Sequence, residues 1–246
     1  MGPTVGFMYL ENLVMDAVEP QRLGRFWEAA VGGERLTDEP DGFETRLAIE
    51  GGPVLDLGFQ RVPERPSDPP RLHLDLLGGA DRTGAVDRLL GLGAEHLDIG
   101  QGDVPWVVLA DPEGNPFCVM GERSAYVDTG PIAALPLDSA DPDSDGEFWS
   151  WLVGWTDARG VASRSLRHPS MRGPLLELCP EAAGKTTVKN RLHLDVRLET
   201  GEDPDEVAAG IAERGGREFN PDWGELPWRH YADPSGNEFC VLPARS

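Results

Sequence analysis

The sequence is short of positive charge. Lys and Arg together number 22 against 43 Asp and Glu, giving a net charge of −21 at pH 7. Phosphate backbones are bound by clustered lysine and arginine, so this balance argues against a nucleic-acid partner. It fits a solvated, self-repelling surface, and any long-range pull it exerts favours a cationic ligand. Also lacking is an apolar run near the roughly 18–20 residues that span a bilayer, so no membrane partner is expected. The opening Met1-Gly2-Pro3-Thr4-Val5-Gly6 has no basic residue before Arg22 and does not read as a secretory signal; position 6 also lacks the Ser or Thr of a myristoylation signal. Cysteine is scarce. Cys118, Cys179 and Cys240 are odd in number and without close metal-type spacing, which points to a reduced, cytoplasmic protein. The remaining balance, 39% hydrophobic and 26% charged, is that of a globular chain.

What is present is present twice. Arg71-Leu72-His73-Leu74-Asp75-Leu76 returns as Arg191-Leu192-His193-Leu194-Asp195-Val196, and Asp111-Pro112-Glu113-Gly114-Asn115 followed by Phe117-Cys118-Val119 returns as Asp233-Pro234-Ser235-Gly236-Asn237 followed by Phe239-Cys240-Val241. Phe26-Trp27 recurs as Phe148-Trp149. Three landmarks in one order at offsets of 120 and 122 residues mean a duplicated domain, with boundaries at 1–122 and 129–246. Each copy is long enough for its own core.

Within the first copy, residues 6–17 suit a strand. Pro20 opens a helix, where a first-turn proline loses no hydrogen bond; Leu23, Phe26, Trp27 and Ala30 give its apolar face, and Gly32-Gly33 stops it. Strands follow over 43–49 and 54–62, and the proline-rich stretch 63–70 is a connector. The motif strand 71–77 begins a second unit, with a helix over 81–92 and strands near 104–110 and 116–120 joined by the Asp-Pro-Glu-Gly-Asn turn. Each copy therefore reads as two β-α-β-β-β modules, with helices over 142–153 and 203–214 in the second. The basic stretch Val161 to Gly173 is the least matched part of the repeat and reads as a solvated loop. Segment 121–129 links the copies.

Side chains alternate faces along a strand. Leu72, Leu74 and Leu76 then face the helices, leaving Arg71, His73 and Asp75 on the other side. The same split puts Leu55, Leu57 and Phe59 on the core face with Asp56 and Gln60 opposite, and Phe117 and Val119 on the core face with Cys118 and Met120 opposite. Trp106 adds to this polar face in one copy, and Trp228 with His230 in the other. Apolar walls with a few polar groups are the composition of a pocket. Each residue also has a plainer reading. The histidines would be structural, Arg71 and Asp75 would pair along one strand, Cys118 and Cys240 would be small buried hydrophobes, Trp27 and Trp149 core, and Asn115 and Asn237 turn residues.

The segment from Val18 to Trp27, the Arg-Leu-His-Leu-Asp strand and the Asp-Pro-x-Gly-Asn-x-Phe-Cys-Val turn resemble the vicinal oxygen chelate superfamily, the glyoxalase, bleomycin-resistance and extradiol-dioxygenase fold. Phe59-Gln60-Arg61-Val62-Pro63-Glu64 and Val188-Lys189-Asn190-Arg191-Leu192-His193 resemble one subgroup, glyoxalase-like family 6. The resemblance implies an α+β protein of two tandem glyoxalase-like domains, each of two βαβββ modules forming a cupped sheet with helices outside. It also implies metal positions on the first and fourth strands of each module. In the first domain these fall on Asn12, on Asp56 or Gln60, on His73 and on Cys118; in the second they fall on Ala134, Glu177, His193 and Cys240. Neither set holds the two histidines and carboxylate of an extradiol dioxygenase, nor the full carboxylate, histidine and glutamine set of a zinc or nickel glyoxalase I.

The metal site is thus degenerate, and two functions stand side by side. One is a binding protein that holds a small organic ligand in the cupped sheet, against Trp106, Trp228, His230, Asn12, Cys118 and Cys240. The other is a lyase or dioxygenase-type enzyme acting on a substrate with vicinal oxygens, using a divalent zinc, nickel, iron or manganese ion held by His73, His193, Glu177 or Asp56, with His193 and Glu177 the favoured pair. Domain pairing within one chain and pairing between two chains are both compatible with the sequence.

Overall fold

The duplicated sequence folds as four copies of one unit. The computed structural model describes residues 8–64, 68–221 and 226–245. The first module runs through β1 (Met8–Ala17), α1 (Pro20–Val31), β2 (Glu34–Glu39), β3 (Gly42–Ala48) and β4 (Val54–Arg61). The second runs through β5 (Asp75–Gly79), α2 (Arg82–Leu92), β6 (Glu95–His96), β7 (Val107–Ala110) and β8 (Pro116–Gly121). The third has β9 (Ile132–Ser139), α3 (Pro142–Val153), β10 (Thr156–Asp157), β11 (Arg164–Arg167) and β12 (Leu175–Pro180). The fourth has β13 (Leu192–Leu198), α4 (Pro204–Glu213), β14 (Arg217–Phe219), β15 (Arg229–Ala232) and β16 (Glu238–Leu242). Residues 6–7 of the expected first strand and 65–67 of the expected connector lie outside the described residues.

Local chemistry sets the helices. Prolines open α1, α3 and α4, and the side chains of Asp81, Asp141 and Asp203 cap α2, α3 and α4 by accepting backbone N–H bonds. Gly32 ends α1 at φ 71°, a left-handed conformation that costs glycine little. Gly24, inside α1, has a different reason: a Cβ there would lie 2.2 Å from the Phe43 ring, so the helix seats directly on β3.

Two strands of the sequence reading change. The motif strand of the first copy begins only at Asp75, because His73 faces Pro136 of β9, and a proline has no N–H to return to the ladder. The basic stretch after Val161 is not a solvated loop. It contains β11, whose Arg167 is buried and donates to the carbonyls of Gly173 and Val127.

The sheets close across the repeats. One eight-stranded sheet has the order β14-β15-β16-β13-β1-β4-β3-β2, and the other β10-β11-β12-β9-β5-β8-β7-β6. The first thus joins modules one and four through the antiparallel pair β1 and β13, and the second joins modules two and three through β5 and β9. Two cupped sheets form as the sequence implies, but each draws one module from each repeat, and the pairing is within the chain. Alternation specifies which face a side chain takes, not which strand lies beside it. One apolar cluster containing Leu13, Leu194, Phe26, Trp27, Phe117, Phe148, Trp149 and Phe239 joins both sheets and their helices. Edge-to-face contacts of Trp27 with Phe117 and of Trp149 with Phe239, at centroid distances of 5.1 and 5.4 Å, recur in each half.

Candidate functional site

A row of strand-paired residues makes the floor of the first cup. Asn12 lies opposite Asp56 on one side and Asp195 on the other, Asp195 lies opposite Cys240, and Cys240 opposite His230. Residues in one row of a sheet share a face, so all five reach the concave side, as does His193, two positions from Asp195. Above them is a cavity of about 930 Å³, bordered by Asn12, His193, Asp195, Cys240, Trp228 and His230, with Gln60, Arg61, Lys189 and Arg197 around its rim.

Its polar groups are only partly satisfied. Asn12 Oδ1 and His193 Nδ1 are buried without a hydrogen-bond partner, whereas the buried Asp195 Oδ1 has His193 Nε2 beside it. Unpartnered groups are costly to leave unmet, and two in one cup are what a bound ligand would satisfy. His193 Nε2 lies 3.2 Å from Asp195 Oδ1 and 3.8 Å from Cys240 Sγ. Trp228 Nε1 donates to His230 Nε2 at 3.2 Å; indole has only a donor, so this nitrogen of His230 carries no proton. Burial, and then the charge of nearby His193, lower the His230 pKa and keep the ring neutral. Rim cations are tied back: Lys189 Nζ meets Asp16 at 2.6 Å, and Arg61 meets Asp41 at 3.0 Å.

His193, Asp195 and Cys240 together offer a metal ion an imidazole nitrogen, a carboxylate and a thiol. One ligand atom from each lies within 4.8 Å of the other two. A nitrogen, sulfur and carboxylate set fits zinc and does not fit magnesium or calcium, which take oxygen. Burial and the adjacent Asp195 raise the Cys240 thiol pKa, so an ion would have to displace its proton. Asp56 is not part of the group. Arg46 takes both of its oxygens, at 2.7 and 2.6 Å.

The second cup repeats the floor and closes it. His73, Asp75 and Cys118 form the matching cluster, with His73 Nε2 3.4 Å from Asp75 Oδ1. Leu175, Ala134 and Val108 continue the same floor row as Asp75 and Cys118, and Tyr126 packs with them and Met120, with Trp106 against the cluster. The Arg123 guanidinium sits 5.9 Å from the ring centres of both Trp106 and Tyr126. Glu177 lies on this sheet, buried, accepting the Val161 N–H at 2.8 Å; burial raises its pKa.

The glyoxalase-like domain model matches residues 12–120 and again 134–242. The chain belongs to the glyoxalase-like domain family. This places it in the vicinal oxygen chelate superfamily. Glyoxalase I from Zea mays superposes with a TM-score of 0.68 at 15% identity, over 96% of this chain and 92% of that one. A "putative dioxygenase" from Bacillus subtilis subsp. subtilis str. 168 superposes with a TM-score of 0.60 at 14% identity, over 98% of this chain and 86% of that one. Both are similar in fold. No curated protein matches the sequence. No helix among the described residues is long and apolar enough to cross a membrane.

Cross-repeat pairing regroups the sequence-derived candidates. Asn12, His193, Cys240, Trp228 and His230 meet at the open cup, while His73, Cys118, Glu177 and Trp106 belong to the closed one. The favoured pair His193 and Glu177 is separated, since the two residues lie in different sheets. The register also shifts one equivalence: Asn12 faces Asp56 as Ala134 faces Leu175, so Glu177 stands in the place of Gly58, not of Asp56. Arg71 pairs with Glu181 at 2.6 Å, not with Asp75. The cysteines form no disulfide. Asp195 and Tyr126 stand in the cups, although the sequence reading did not name them as site residues. Asp195 was signalled by its place two residues after His193 on one strand face, and Tyr126 by being the one aromatic in the linker.

Proposed function

We propose that the first cup binds a small organic ligand, with its aromatic or apolar part against Trp228 and a hydrogen-bond donor directed to Asn12 and Asp195. The observation that carries this reading is a cavity of about 930 Å³ set over a buried acceptor without a partner, Asn12 Oδ1, and the buried carboxylate of Asp195 beside it. Ligand sites of this size are commonly apolar with few polar groups. The second cup, filled by side chains, is not the binding cup in this reading. The test is native mass spectrometry of protein purified without denaturation, in wild type, Trp228→Ala and Trp106→Ala. A small molecule retained by wild type and Trp106→Ala and lost from Trp228→Ala supports the reading. A molecule lost equally from both variants, or retained by both, overturns it.

The His193, Asp195 and Cys240 cluster favours a second reading, in which the same cup holds a zinc-type ion. That ion would supply Lewis-acid chemistry to an oxygen of the ligand. The residues would bind and orient it. Metal analysis of wild type and His193→Ala separates the two readings: a stoichiometric ion lost in the variant supports this one, and a metal-free wild type that zinc does not load rejects it.

A further inference from the structure

The second cup differs from the first in what fills it. A single 3₁₀ turn, Ser124–Tyr126, carries Tyr126 from the linker onto the concave face of the second sheet. There its ring is 2% exposed and packs with Cys118, Met120, Ala134 and Leu175 in a cluster separate from the main core. The hydroxyl makes no hydrogen bond, and Asp75 Oδ1 in the same cup is buried with His73 Nε2 at 3.4 Å. The charges of Glu177 and Asp75 reach the phenol and, with burial, raise its pKa. An aromatic that only filled space would be better as phenylalanine, since a buried hydroxyl without a partner is unfavourable.

The linker is fastened on the far side of this ring. Thr129 Oγ1 donates to the Tyr126 carbonyl at 3.0 Å, Arg167 donates to the Val127 carbonyl at 2.8 Å, and Gly173 N donates to the Asp128 carbonyl at 3.0 Å. Asp128 adopts φ 59°, a left-handed conformation that a non-glycine residue keeps only where its surroundings impose it. These anchors hold the ring in the cup and fix how far its hydroxyl can travel toward the carboxylates.

We propose that the second cup is a phenol-binding site occupied by the chain's own linker, with Tyr126 as a tethered ligand standing where a free aromatic alcohol would lie. Asp75 and Glu177 are the acceptors that such an alcohol would reach once freed from the backbone. The proposal concerns a different cup from the one assigned above and does not depend on it.

Alanine at 126 keeps the β-carbon, so alanine plus phenol reconstitutes the side chain. The experiment is thermal unfolding and calorimetric titration of wild type and Tyr126→Ala with phenol, using benzene as the control without a hydroxyl. Phenol is expected to raise the unfolding midpoint of Tyr126→Ala by about 3 °C at ten times its Kd, benzene to raise it less, and neither to stabilise wild type. Three results overturn the proposal: no phenol response in Tyr126→Ala, the same response in wild type, or benzene equal to phenol. Should Tyr126→Ala be insoluble when expressed alone, expression and refolding with phenol supply the answer. Recovery of soluble protein only with phenol supports the site, and no recovery overturns it.

Discussion

Arg71 Nε donates to Asn237 Oδ1 at 2.7 Å, across 166 residues of sequence. The same guanidinium meets Glu181 at 2.6 Å and the carbonyl of Ala183 at 3.1 Å. Its repeat counterpart, Arg191, reaches Asn115, so each repeat's motif arginine grips the other repeat's turn. Those turns are themselves pinned: Asn115 Nδ2 donates to Asp111, which also accepts from Trp27 at 3.1 Å, and Asn237 Nδ2 donates to Asp233, which accepts from Trp149 at 3.2 Å. The duplicated landmarks are therefore largely one clamp written twice, and they hold modules of opposite repeats together.

Breaking that clamp should be costly. Arg71→Ala leaves the Glu181 charge without this partner and Asn237 Oδ1 with the weaker Asn190 contact at 3.3 Å, and removing one member of a largely buried ion pair costs about 3–5 kcal/mol. Arg71→Lys should recover only part of this, because lysine cannot reproduce the guanidinium fork. Urea unfolding of Arg71→Ala, Asn237→Ala and the double variant is expected to give a coupling energy above about 1 kcal/mol. Additive single effects would mean that the contact carries no weight.

Tyr126→Phe offers a cleaner probe of the closed cup. The hydroxyl has no hydrogen bond to lose, so the variant should stay within about 0.5 kcal/mol of wild type or gain stability. Tyr126→Ala, which empties a buried aromatic site, should cost about 3–5 kcal/mol by denaturant unfolding. A large loss in the phenylalanine variant would reveal a hydroxyl contact and contradict the geometry.

Much of the fold was legible because its signals are local. Pro20, the glycine pair after α1, the Phe-Trp helix faces and the alternating leucines of the motif strands fix element type and buried face without reference to distant sequence. Neighbour choice is not local. Residues 71–76 and 191–196 carry nearly the same pattern, so nothing in that pattern states that His193 shares a cup with Asn12 while His73 shares one with Glu177. The site was legible as a set of residues and illegible as a grouping. Tyr126 was hidden for a related reason: its segment has the composition of a connector, and only the anchors from Arg167, Thr129 and Gly173 turn it into a filled cup.

His230 makes the open cup sensitive to acid. Its folded pKa is lowered from 6.5 by burial and by His193, so the fold favours the neutral ring that accepts from Trp228. A group with a depressed folded pKa contributes fully above its unfolded value, and that contribution is lost as pH falls from about 6.5 through the folded pKa. Stability of wild type relative to His230→Gln should therefore fall between pH 7 and pH 5, by no more than about 1.4 kcal/mol per pH unit. Glutamine keeps an acceptor for Trp228 and does not titrate, so it isolates the proton. Parallel pH profiles for the two proteins would show that His230 is not the group responsible.

Asp56 and His193 separate structure from site chemistry within one cup. Asp56 gives both oxygens to Arg46 and is 2% exposed, whereas His193 stands 3.2 Å from Asp195 with Nδ1 unmet. Asp56→Asn keeps the size of the side chain but discards a bidentate charged contact, so it should lower stability by about 2 kcal/mol and leave zinc uptake as in wild type. His193→Ala should also cost stability, since it takes from buried Asp195 its contact at 3.2 Å, but unlike Asp56→Asn it should abolish any zinc taken up during growth in zinc-supplemented medium. Urea unfolding and elemental analysis of the same two preparations check both halves. Loss of zinc in Asp56→Asn, with Arg46 left uncompensated, would place the ion on the Asp56 side of the row and move the centre of the site away from Cys240.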